Sequence, residues 1–469
     1  MSFRRSVAAL LLVIVACGAA MSVRADAVDD YVSAQIRARH VPGLSLAVVR
    51  EGRLVKAQGY GLANIELNVA ATPETVYEVG SLTKQFTAAA VLLLVEEGKV
   101  SLEERLAKYL GETASTAWGD VTIRQLLTHT SGIREFSTLP GFELSKRLTP
   151  EQLDKAIAAL PSAFPAGTSW QYSNTNYYLL GRVVERASGQ RFDEFLEARI
   201  FKPLGMKATL MADPRRIIPQ RASGYQWREG AWVNRDDAAL ADTFAAAGLA
   251  SNVLDLARWE TALDARRLLK PESFEQMWQP ARLATGKSYP YGMGWSVGTF
   301  RGRRLLEHGG LMGGFSSYVA RFTEERLSVI VLCNLGNIGV SGNAAPIARG
   351  VARLYIPTLA LAALKELADP DPQTTGALRE ALLATLAGRP DPSSFTPQSY
   401  AFQTSERGRA LHRSISSHGA LRSLALVERK EEGDERTYLY RAVFGAQTLY
   451  ISFRLTGAGK ISFLGIEED

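Results

Sequence analysis

Ser81-Leu-Thr-Lys84 sets a hydroxyl and an amine three positions apart. On a helix that spacing places both on one face. An amine deprotonated by burial could then take the serine proton and leave a nucleophile. The start of a helix adds free N–H groups and a positive field, which suit a developing oxyanion. The same serine also fits a plainer role, since Ser and Thr are preferred helix caps. A cap role leaves Lys84 unexplained, because it heads a stretch, Ala88–Val95, that is apolar almost all round. A lysine held there must be paired or deprotonated.

Two further groups offer partners. Trp170-Gln-Tyr-Ser-Asn-Thr-Asn176 puts Tyr172 and Asn174 in a polar loop just before a helix. Tyr172 could shuttle a proton and Asn174 could fix a substrate with its amide; a core tyrosine followed by an Asn cap fits the same residues. Glu307-His-Gly-Gly310 lies at the end of one expected strand and before another. Successive glycines let another backbone or a ligand come close, and His308 either lines a site or caps a turn.

Around these groups the pattern predicts a helix over 28–40, a hairpin of 44–50 with 54–60, and the long helix from Ser81 to its glycine stop at Gly98. Helices follow over 122–128, 150–160, 176–187, 192–200 and 251–263. From Tyr291 the period changes to strands over 292–297, 304–307, 315–322 and 327–333, closed by a helix over 344–355. Strands at both ends with helices between imply one antiparallel sheet built from the two chain ends and backed by helices. Ala368-Asp-Pro-Asp-Pro372 marks a linker, 359–373. Beyond it, helices over 377–386 and 403–414 and four alternating strands make a second, small α+β domain, 374–469. The expected organisation is a leader over 1–25, a main domain over 26–358, the linker and this accessory domain.

With 469 residues, 46% hydrophobic and 22% charged, the chain has the composition of an ordinary globular protein. Its formal charge of +6 includes Arg4, Arg5 and Arg24 of the expected leader. No basic stripe carries aromatics, so nucleic acid is not an expected partner. The basic start, the apolar run 7–16 and the small residues after it read as a secretory signal cut after Ala25, too short for a membrane span. Ile14-Val-Ala-Cys17 resembles a lipobox and offers a lipid anchor at Cys17 as the alternative. Only Cys333 remains otherwise, so no internal disulfide is expected. The histidines His40, His129, His308, His412 and His418 are scattered and form no zinc spacing. His412 and His418, in a polar stretch, read as surface residues.

Taken together and in this order, the three groups resemble the motifs of the serine β-lactamase and penicillin-binding-protein superfamily: S-x-x-K at Ser81 and Lys84, Y-x-N at Tyr172 and Asn174, and the strand element at His308-Gly309-Gly310. Thr122-Ile-Arg-Gln-Leu-Leu-Thr-His-Thr-Ser-Gly-Ile133 and Ala246-Ala-Gly-Leu-Ala-Ser251 are similar to segments of its class C-like branch. The resemblance covers roughly residues 27–356. It implies an α+β fold of the β-lactamase/transpeptidase type, with a helical subdomain. It also implies attack by Ser81 on a carbonyl, proton handling by Lys84 and Tyr172, and an oxyanion hole from the backbone N–H groups of Ser81 and Leu311. Asn174 and His308 would contact the substrate, a small molecule or peptide, with no cofactor and no metal. Lysine stands in true β-lactamases where this chain has His308; histidine resembles the DD-peptidase, D-aminopeptidase and esterase members. The expectation is an exported, periplasmic or secreted, hydrolase of an ester or amide, with D-amino-acid peptides among the substrates. A true β-lactamase and a non-catalytic penicillin-binding sensor are the alternatives. The segment 374–469 resembles in pattern the nuclear-transport-factor-like α+β domains, without a motif that names a partner.

Overall fold

In the computed structural model of the chain, the described residues are 27–111, 118–138, 149–235, 244–336 and 343–467. The expected leader and Cys17 lie outside them. The chain divides into two compact units, the first running to Ile356 except for Phe300–Arg303, which group with the second from Pro357 onward.

The first unit is built on a seven-stranded antiparallel sheet. Its strands are β1 (Gly43–Arg50), β2 (Arg53–Asn64), β3 (Val69–Ala70), β4 (Ser296–Phe300), β5 (Arg303–Met312), β6 (Phe315–Phe322) and β7 (Leu327–Cys333), in the order β4-β5-β6-β7-β1-β2-β3. Pairing of β1 with β7, from Leu44 opposite Cys333 to Arg50 opposite Leu327, joins the two chain ends in one sheet. The α+β expectation is borne out. The β1–β2 hairpin turns through Glu51 and Gly52, both at positive φ, which matches the twist of the flanking strands.

Helices cover the sheet on both faces. The unit holds α1 (residues 27–38) and, packed on each other, α2 (Thr83–Glu96) and α3 (Asn174–Ser188); the covering helices are α4 (Val253–Asp264) and α5 (Ala344–Tyr355). The pleat of β6 divides them: Arg321 bonds Glu260 of α4 at 3.1 Å, while Tyr318, on the other face, is bonded by Arg349 of α5 at 2.9 Å. Both β6 and β7 are buried throughout; β7 reads as a nearly continuous apolar run, whereas β6 buries Ser316, Ser317 and Arg321 among its apolar residues. α2 is the most enclosed helix, its residues Thr83–Leu94 all buried.

Several element edges differ from expectation. Asn174 is the first residue of α3, with Ser173 at the cap, so it is not a loop residue. α4 begins at Val253 behind an Asn252 cap, and Ser251 belongs to a short strand, Leu249–Ser251. β5 runs on through Met312, so His308-Gly-Gly310 lies within a strand and not beyond its end.

The second unit has helices Pro372–Leu386, Pro397–Thr404 and Glu406–Ser416 packed on a four-stranded meander, Leu421–Glu432, Glu435–Phe444, Gln447–Leu455 and Ile461–Glu467. Its core centres on Tyr438, Tyr440, Phe444, Ile451 and Phe453. His412 is a correction: it is buried, 6% exposed, and its Nε2 bonds Gln403 Oε1 at 2.8 Å. Gly408, His412 and Ile415 share the inward stripe of their helix at spacings of four and three. His418 is exposed.

Candidate active site

The site is assembled where the sheet edge meets the start of α2. Gly80, at φ +53, turns the chain from the strand Tyr77–Glu78 into a single 3-10 turn, Gly80–Leu82, which feeds α2. The turn is pinned from three sides. Thr83 Oγ1 donates to the Gly80 carbonyl at 2.7 Å and accepts from Leu249 N at 3.1 Å. Ser317 Oγ of β6 donates to the Val79 carbonyl at 2.7 Å. Glu78 is held by both terminal nitrogens of Arg235, at 2.7 and 2.8 Å.

Ser81 is not a cap. Neither the 3-10 turn nor α2 has a side-chain cap bond, and the α2 cap position is Leu82. The Ser81 hydroxyl instead meets Lys84 Nζ at 3.0 Å. Lys84 is fully buried; its other contacts are Asn174 Oδ1 at 2.7 Å and the Ala246 carbonyl at 2.9 Å. Burial favours the uncharged amine and brings its pKa down from 10.5 to about 7, against an opposing pull from the Glu135 charge. An amine so placed changes protonation near neutral pH beside a hydroxyl.

Tyr172 stands over the same pair. Lys84 Nζ lies 4.7 Å from its ring centroid, and its phenol hydrogen-bonds Ser81. Burial pushes the phenol pKa up, and the Ser81 hydrogen bond pulls against that. Asn174, two residues on at the start of α3, sends its amide oxygen to Lys84.

His308 and Leu311 come from β5, whose two glycines are explained by backbone approach. A Cβ on Gly310 would stand 2.0 Å from the Val79 carbonyl oxygen, and one on Gly80 would stand 2.9 Å from Leu311 N. The strand therefore lies against the turn that carries Ser81, with Leu311 N beside it, and only glycine permits the contact. His308 is buried, and the Gly309 carbonyl 2.7 Å from its Nδ1 can only accept, so Nδ1 carries a proton. Burial, with Lys84 nearby, lowers its pKa to about 3, so the ring is neutral and Nε2 accepts from the Tyr291 hydroxyl at 2.9 Å.

The structure thus brings Ser81, Lys84, Tyr172, Asn174, His308 and Leu311 together. Three neighbours had not been singled out. Glu135 accepts from the backbone N–H of Asn174 and from its Nδ2, the latter at 3.2 Å. Tyr291 holds His308, and its ring is also T-shaped to Tyr172 at 6.1 Å. His129, at φ +59 and fully buried, packs its ring 4.4 Å from that of Tyr172. Its Nδ1 takes Asn176 Nδ2 at 3.1 Å. Glu135 lies two residues beyond the motif-like run Thr122–Ile133. No cluster of His, Cys, Asp or Glu able to hold a metal ion occurs among the described residues.

Comparisons with known proteins identify the family and the fold. The Beta-lactamase family model matches residues 28–354. D-aminopeptidase of Gluconobacter oxydans (strain 621H) is 28% identical over 299 residues, which cover 62% of this chain and 56% of that protein. Protein flp of Staphylococcus aureus (strain MW2) is 27% identical over 320 residues, which cover 66% of this chain and 63% of that protein, so the chain spans less than two thirds of the length of either curated relative. The solved D-stereospecific amidohydrolase from Streptomyces sp. is 28% identical with a TM-score of 0.55, covering 66% of this chain and 94% of that one. The octameric penicillin-binding protein homologue from Pyrococcus abyssi, 24% identical with a TM-score of 0.59, shares the fold over 92% of this chain and 96% of its own. The chain belongs to the beta-lactamase family.

Proposed function

We propose that the protein is a serine hydrolase that forms an acyl-enzyme on Ser81 and cleaves an ester or amide, with D-amino-acid amides or peptides as the favoured class. The observation that carries this is the 3.0 Å contact of Lys84 Nζ with Ser81 Oγ, made by an amine poised to lose its proton near neutral pH. Ser81 Oγ attacks the carbonyl carbon and its proton passes to neutral Lys84. The carbonyl oxygen becomes an oxyanion facing the N–H groups of Ser81 and Leu311. Lys84, with Tyr172, returns the proton to the leaving amine or alcohol as the bond to carbon breaks. Water then releases the acyl group by the same steps in reverse. The D-amino-acid preference leans on the D-aminopeptidase and the D-stereospecific amidohydrolase as relatives.

His308 favours this over a true β-lactamase. A neutral ring engaged by Tyr291 and Gly309 presents no positive charge to a substrate carboxylate. Turnover of p-nitrophenyl esters, D-alanyl amides and nitrocefin, each by wild type and Ser81→Ala, tests the proposal. Ester or D-amide turnover lost in Ser81→Ala is expected; fast nitrocefin turnover alone would favour the β-lactamase. We also propose export, with cleavage after Ala25 or lipidation at Cys17. Mass spectrometry of the mature N-terminus decides between them, and a retained Met1 would oppose both.

A further inference from the structure

We propose that Glu135 is a positioning residue for the proton acceptor: by fixing the side-chain amide of Asn174 it makes the lone pair of Lys84 face the Ser81 hydroxyl. This rests on Ser81 and Lys84 acting as proposed above.

A neutral amine has two N–H bonds and one lone pair, and Lys84 has three polar neighbours. The Ala246 carbonyl can only accept, so it takes one N–H. A hydroxyl can donate or accept. The third neighbour, Asn174, could present either end of its amide, and the end it presents decides the direction of the lone pair. Were the NH2 end to face Lys84, the lone pair would be drawn there and away from Ser81. Glu135 prevents this. Its carboxylate only accepts, and it takes the Asn174 Nδ2 at 3.2 Å together with the Asn174 backbone N–H. The amide oxygen is thereby turned to Lys84, at 2.7 Å. Both N–H bonds of the amine are then committed, and its lone pair is left for Ser81.

The carboxylate is itself held firmly. Thr175 Oγ1 accepts from Phe136 N at 2.8 Å and donates to the Arg134 carbonyl at 2.8 Å, clamping the residues on either side of Glu135 to the start of α3. Ser131 Oγ adds a 2.6 Å bond to Asn176 Oδ1. The negative charge also sits at the positive end of that helix.

Glu135 acts on the proton of Lys84 as well as on its direction. The groups facing Lys84 are the rings of Tyr172 and Tyr177 at 4.7 and 5.5 Å, His129, His308 and Glu135. Among the described residues Glu135 is the carboxylate of that set, and its charge strengthens the hold of Lys84 on a proton.

The test needs no knowledge of the natural substrate. The rate of Ser81 modification by a fluorophosphonate, in which the serine oxygen displaces fluoride from phosphorus, is measured against pH for wild type, Glu135→Gln, Glu135→Ala and Ser81→Ala. Thermal unfolding accompanies each. In Glu135→Gln the acid limb of the rate should move to lower pH, by up to about one unit, because the charge that favoured protonation is gone. The plateau should fall about tenfold or more in Glu135→Ala and less in Glu135→Gln, whose amide oxygen still accepts one bond. A merely structural role would lower plateau and melting temperature together and leave the limb in place. An unmoved limb in Glu135→Gln, or wild-type rates throughout in Glu135→Ala, overturns the inference while leaving the hydrolase proposal standing. Absence of a Ser81 adduct in folded wild type overturns both. If Glu135→Ala does not fold, the limb in Glu135→Gln decides.

Discussion

Two buried bases, Lys84 on the helical side of the site and His308 on the strand side, share an environment and differ in their partners. Both are withdrawn from water, and burial lowers both pKa values. Lys84 is ringed by two acceptors and a hydroxyl, Asn174 Oδ1, the Ala246 carbonyl and Ser81 Oγ, which suit either protonation state. His308 lies between one acceptor and one donor, the Gly309 carbonyl and the Tyr291 hydroxyl, which suit only the neutral ring. Burial makes a base available, and its partners decide whether it can exchange a proton. On the proposed mechanism one side of the site moves a proton and the other holds a shape.

The largest effect is expected at Lys84. Lys84→Met should lower kcat/KM about 10³–10⁴-fold, the scale of a lost general base. In wild type kcat/KM should fall as pH drops through about 7, because the amine gains the proton that blocks its role. His308, with its pKa near 3, should add no limb between pH 5 and 9. A profile flat through pH 7, or Lys84→Met at wild-type rate, would break the contrast. A smaller effect is expected at His308. His308→Lys puts a cation on the strand side, so acylation by penicillins should rise relative to an uncharged ester, by about tenfold. An unchanged ratio would mean that the strand side does not face the substrate carboxylate. The smallest effect is expected for Tyr291→Phe, which removes one neutral hydrogen bond worth about 1 kcal/mol and should cost less than about tenfold in rate.

Much of this was legible in the sequence because the signals are local. Ser81 and Lys84 are one helical turn apart, and that spacing alone puts an amine beside a hydroxyl. The apolar run of β7 and the Gly98 stop of α2 are equally local. What was missed depends on pairing across the fold. Glu135 and Asn174 are 39 positions apart and meet only when the segment 131–136 docks on the start of α3. Tyr291 reaches His308 from the connection ahead of β4, 17 positions away. The glycines of His308-Gly-Gly310 were read as room for a backbone or a ligand; the backbone proved to be Val79, which no periodicity could name. His412 was placed at the surface from its polar neighbours, yet its stripe with Gly408 and Ile415 faces inward. Composition misleads where helical position decides.

Ser81 as the acylated residue is the central claim, and peptide-mapped mass spectrometry after a short reaction with a p-nitrophenyl ester tests it most directly. The account predicts an acyl adduct on Ser81 in wild type, slower to form at pH 5 than at pH 8, and absent from Ser81→Ala. Turnover that persists in Ser81→Ala, or an adduct on another residue, would contradict it.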